Sequence, residues 1–123
     1  MHRDYPYTRT RLTELITTLM VDQRFAHIKT SQVPCFAPCD QIGSFVPDVT
    51  GYAEGTFIIA TTASELDLSL GTAWLHQWTV FHKYATHVGG HFLVAVNKAD
   101  ECTARSVLEQ VCSDAPNVHV WSF

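Results

Sequence analysis

Apolar positions along the chain recur with two periods, one of helices and one of strands. Leu12, Leu15, Ile16, Leu19 and Met20 follow each other at alternating steps of three and one, which predicts an amphipathic helix over residues 9–26. "HIKTSQV" is a short strand candidate. "PCFAPCDQIGS" is cut by two prolines and a glycine and reads as a loop. "FVPDVTGY" and "TFIIATTA" are strand-like runs turned at Gly55, a predicted hairpin. Over residues 70–88 the helical stripe returns, with Leu70, Trp74, Trp78, Phe81, Ala85 and Val88 on one side. His76, Lys83 and His87 lie opposite, towards solvent, and Gly89-Gly90 ends the helix. "HFLVAVNKA" predicts a buried strand. "DECTARSVLEQVCSD" predicts a helix with Asp100 near its start, and "VHVWSF" a last strand after the Pro116-Asn117 turn. The expected order is therefore α-β-β-β-α-β-α-β. It implies one α/β domain over residues 1–123, with a mixed sheet flanked by helices on both faces.

Composition narrows the picture. A chain of 123 residues that is 46% hydrophobic and 16% charged can bury an ordinary core and does not read as disordered. The longest apolar runs, "FIIA" and "FLVAV", are strand-sized and far short of the roughly 18 residues of a membrane span. "MHRDYPYTRT" lacks an apolar leader core, so a soluble cytoplasmic protein with no membrane partner is expected. Cys35, Cys39, Cys102 and Cys112 are too sparse for a disulfide framework and are expected as free thiols. The net charge of −4 argues against general nucleic-acid affinity, which rests on phosphate contacts. It is unevenly spread. Residues 1–29 hold five cations against three anions, which leaves −6 for the remainder. The first helix thus presents either a solvated charged face or a local contact with nucleic acid.

Three stretches carry a resemblance: "QIGSFVPDVTG", "TFIIATTASELD" and "HQWTVFHKYATHVGGHFLVAVNK". Gly43, Pro47 and Asp48 fit a Gly-x-x-x-Pro-Asp block before the hairpin. Gln77, Trp78, Phe81, Tyr84 and Ala85 fit a Gln-Trp-x-x-Phe-x-x-Tyr-Ala pattern on the helix that follows. In these words and in element order the chain resembles the PD-(D/E)XK restriction-endonuclease-like superfamily over residues 9–123. The resemblance implies a restriction-endonuclease-like core and a phosphodiesterase site. Such a site uses hard Mg²⁺ held by carboxylates, with an acid and a lysine two positions apart on one strand face.

Placed on that frame, Asp48 is the retained carboxylate and the candidate metal ligand. The second acid falls at Ala60 and the lysine at Thr62, with Gln77 nearby. Ala60 has no ligand atom and Thr62 is neutral, and a shift by one offers only Ile59 and Thr61. The expectation is a vestigial site with no hydrolysis and no cofactor, on a scaffold that binds nucleic acid through its first helix or binds a protein. An active Mg²⁺-dependent endonuclease stays open if displaced acids rebuild the site. Glu65 and Asp67, just past the second strand, are the main candidates, with Glu14, Glu54 and Lys98 behind them. A structural or homodimerising subunit is the third reading, with "VHVWSF" as the interface. His76, His82, His87 and His91 are not spaced as a zinc motif. No phosphate-cradling glycine loop is present, and no local pattern supports a Cys–His dyad on Cys39.

Overall fold

The computed structural model describes residues 6–64, 73–112 and 115–123. The elements run α1 (Arg9–Asp22), β1 (Ala26–Lys29), β2 (Val49–Ala53), β3 (Thr56–Thr62), α2 (Ala73–His87), β4 (His91–Val96), a 3₁₀ turn (Lys98–Asp100), α3 (Glu101–Cys112) and β5 (Val118–Ser122). This is the order read from the sequence. The five strands lie in the sheet in chain order, β1-β2-β3-β4-β5. β1, β2 and β3 are antiparallel, whereas β3, β4 and β5 are parallel, with β4 and β5 each reached through a helix. The domain is therefore α/β with a mixed sheet.

Local chemistry sets the element ends. Thr8 caps α1, with its hydroxyl accepting from the Arg11 N–H at 3.1 Å. α1 stops four residues short of the expected 26. Arg24 adopts φ 63°, and the Phe25 N–H donates back to the Met20 carbonyl. That left-handed residue closes the helix and turns the chain into β1. β1 also ends early, at Lys29. The Thr30 N–H then donates to the Ala37 carbonyl of the following loop. At the end of α2, the Gly89 and Gly90 N–H groups donate to Thr86 and Ala85. A Cβ at Gly90 would overlap the Phe57 carbonyl oxygen, so this turn needs glycine for space.

Each sheet face has its own core. On one face α1 lays Ile16 and Met20 over Val49, Ile58, Ala60, Leu93 and Ala95, and Leu12 is fully buried on the same helix. Its buried stripe also holds Thr13 and Thr17, while the expected Leu15 and Leu19 are only half-buried. Each threonine hydroxyl donates to the carbonyl four residues back, Arg9 and Thr13, so neither buries an unsatisfied group. On the other face α2 and α3 cover Ile59, Ala63, Phe92, Val94 and Val96 with Trp78, Phe81, Ala85, Ala104 and Leu108. Val88, assigned to that stripe from spacing, is exposed beyond the end of α2, and Leu70 lies outside the described residues. His76, Lys83 and His87 are exposed, as their spacing implies.

Candidate functional site

Antiparallel β2 starts beside the end of β3, so Asp48 comes to rest against Thr61 and Thr62. The Asp48 carboxylate is buried there, with 8% of its side chain exposed. One oxygen, Oδ2, accepts four hydrogen bonds. They come from the Thr62 N–H at 2.8 Å, the Thr61 and Thr62 hydroxyls at 3.1 Å each, and Arg9 Nη2 at 3.2 Å. The other, Oδ1, accepts from Gln32 Nε2 at 3.1 Å. Arg9 Nε also donates to the Thr62 hydroxyl at 3.3 Å. The side chain of Asp48 thus takes up a main-chain donor just past the paired part of the β2–β3 ladder and anchors the first residue of α1.

A second clamp explains how Arg9 gets there. Asn97, buried just past β4, accepts from the Tyr7 N–H at 2.6 Å and donates to the Tyr7 carbonyl at 3.1 Å. This two-way bond holds the segment before α1 across the carboxyl end of β4. Thr8 then starts the helix, and its first residue points a guanidinium at Asp48. The assembly lies at the carboxyl ends of the parallel strands, where open α/β sheets place their ligands.

The residues expected at this site separate. Asp48 and Thr62 come together, with 3.1 Å between the Asp48 carboxylate and the Thr62 hydroxyl. Ala60 is fully buried among Ile16, Met20, Val49, Leu93 and Ala95, in the dry core beneath α1. Gln77 is half-buried on α2 and makes no hydrogen bond to Asp48 among the described residues. Glu14 pairs with Arg11 on the exposed side of α1 at 2.9 Å. Glu54 sits at the exposed hairpin turn with φ 51°, and Lys98 is exposed past β4. Glu65 and Asp67 lie outside the described residues. Spacing gave no sign of Arg9, Gln32 or Asn97, which reach the site from 39, 16 and 49 residues away from Asp48.

These donors do not suit a hard divalent cation. Mg²⁺ takes several oxygen ligands, usually with more than one carboxylate or a substrate phosphate among them. Here, among the described residues, one carboxylate is present, its oxygens accept from protein N–H and O–H groups, and a guanidinium pairs with it. Among the described residues no three His, Cys, Asp or Glu side chains group to hold a metal ion.

Other chemistry-bearing groups lie elsewhere. All four cysteines are free. Cys39 is buried, donates to the Lys29 carbonyl at 3.1 Å, and has its thiol pushed up by burial. On β4 and β5, His91 Nδ1 and His119 Nε2 lie 2.9 Å apart with their rings stacked. Burial first, and the His91 ring second, lower the pKa of His119. No described helix is long and apolar enough to cross a membrane. Comparison of the chain with known protein families, characterised proteins and solved structures returns no match.

Proposed function

We propose that this chain is a PD-(D/E)XK-type scaffold whose metal site has been replaced by an internal ion pair, and that it acts by binding without cleaving. One observation carries the reading. The carboxylate that would grip a cation is held by five protein hydrogen bonds, one of them from the Arg9 guanidinium. A metal ion at Asp48 must expel Arg9 or share the carboxylate with it at close range. Among the described residues it gains no second carboxylate in return, because position 60 is an alanine in the core. With neither a metal-bound water nor a lysine at position 62, no described residue at Asp48 is placed to generate a nucleophile.

The partner that fits this end of the molecule is a nucleic acid met by the first turn of α1. Arg9 and Arg11 are part-exposed there, and Lys98 is exposed next to the Asn97 clamp. Such contacts are few, so binding is weak and falls steeply with salt. The test has two arms. Incubation with Mn²⁺ and single-stranded, duplex or branched DNA should give no cleavage. Fluorescence anisotropy with the same oligonucleotides should show salt-dependent binding that Arg11→Ala and Lys98→Ala weaken. Cleavage abolished by Asp48→Ala would overturn the loss of catalysis. Salt-independent binding, or none, would overturn the nucleic-acid partner.

A further inference from the structure

The two edges of the sheet are built differently. β1 is four residues long and its register against β2 slips between Ala26 and Lys29. His27 there has φ 53°, Lys29 places a charge on the strand, and the next residue already bonds to the loop through Ala37. A short, bulged, charged and partly covered strand resists pairing with another chain. β5 has none of these protections. "VHVWS" is regular through five residues and carries no Lys, Asp, Glu or Pro.

The ladder shows which groups β5 leaves open. The Phe92 N–H donates to the Asn117 carbonyl, and the Phe123 N–H donates to the Val96 carbonyl. Odd-numbered residues of this segment therefore bond to β4. Val118, Val120 and Ser122 turn their N–H and C=O groups outward. Among the described residues no strand pairs with that edge.

We propose that a second copy of this chain pairs with β5, antiparallel to it, about a two-fold axis through Val120, to give one continuous ten-stranded sheet. Three features select a second copy over an unrelated strand. Pairing about Val120 sets Val118 opposite Ser122 of the other copy, so each outward residue exchanges both main-chain bonds with an outward residue. The shift is even, so each face continues its own kind. Val118 and Val120 stay on the side of α2 and α3, and Trp121 stays on the side of α1. Charge is self-complementary as well. Arg105, which pairs with Glu101 one turn back at 2.9 Å, and Glu109 line a groove on α3 beside Val118 and Val120, so a second copy shares a guanidinium that its own helix already holds. The two-fold sets α3 antiparallel to its copy, with Arg105 of each protomer towards Glu109 of the other. Because β1 is protected, growth stops at the dimer.

Analytical ultracentrifugation of the full chain over roughly a hundredfold range of concentration tests this, since a reversible dimer follows mass action. The wild type should pass from monomer to dimer and no further. Val120→Pro removes an outward N–H and no bond to β4, and proline is tolerated on edge strands. Losing one symmetric pair of bonds should weaken the dimer roughly tenfold or more. Arg105→Glu and Glu109→Arg should each weaken it, and the double variant should restore it without any change at β5. A wild type that stays monomeric, or that assembles beyond a dimer, overturns the proposal. So does a dimer indifferent to both a folded Val120→Pro variant and the charge exchange.

Discussion

Asp48→Ala offers the most direct test of what this carboxylate does. The substitution removes the acceptor of five hydrogen bonds, but the losses are unequal. Gln32 is exposed and regains water. Arg9 is 43% exposed, so its ion pair contributes only about 0–1 kcal/mol. The two threonine hydroxyls can rotate towards other acceptors. The Thr62 N–H cannot move, and it is buried. Leaving it unsatisfied costs about 1–3 kcal/mol, and the lost charge-assisted bonds raise the total to about 3 kcal/mol. With a urea slope of about 2 kcal/mol/M, the midpoint should fall by about 1.5 M in EDTA. Asp48→Asn keeps an oxygen for the Oδ2 donors and should cost about half as much. A double-mutant cycle with Arg9→Ala should give a coupling near ~1 kcal/mol. A carboxylate kept only to hold a metal ion would contribute nothing to stability in EDTA. Asp48→Ala within about 0.5 kcal/mol of wild type, or more stable than it, refutes the structural role.

Three further outcomes follow from the same geometry. Ala60→Asp should destabilise the fold by several kcal/mol, because it forces a carboxylate into the dry core under α1. Near-native stability with Mn²⁺ binding in that variant would mean the site is more open than described. On the folded protein, Cys35 and Cys102 should react readily with a thiol reagent at pH 8, and buried Cys39 only on unfolding. Equal labelling rates would contradict the burial. His119 favours its neutral form in the fold and titrates below its ordinary 6.5. The unfolded chain therefore binds the proton more readily. The stabilisation is complete above about pH 6.5 and is lost as pH falls towards the folded value. Melting temperatures from pH 5 to 8 should show His119→Gln flattening that acid-side loss, and an unchanged profile would exclude the effect.

Element order was legible because the apolar runs switch cleanly between periods, as "FIIA" and "FLVAV" differ from the Trp74–Ala85 stripe. The boundaries were less so. Arg24 and His27 take left-handed backbone conformations that nothing in their residue types demands, and these cut α1 and reshape β1. Thr13 and Thr17 took buried places from Leu15 and Leu19 because a threonine in a helix can satisfy its own hydroxyl. At the site, the hairpin pattern set Asp48 and Thr62 near each other, and they meet, whereas Ala60, read into the same site, lies in the core under α1. Arg9 was not legible. It reads as one more cation on a helix, and only the Asn97 clamp on Tyr7 aims it at the carboxylate.

That clamp also sets an order of events during synthesis. Tyr7 and Asn97 are 90 residues apart. At about 5–20 residues per second, the segment leading into α1 waits roughly 5–20 s on the ribosome before its anchor is made. Through that interval the stripe of Leu12, Ile16 and Met20 has no complete sheet to rest on, since Leu93 and Ala95 arrive just before Asn97. α1 therefore docks late, and its apolar side stays open to solvent until the far end of β4 has been made.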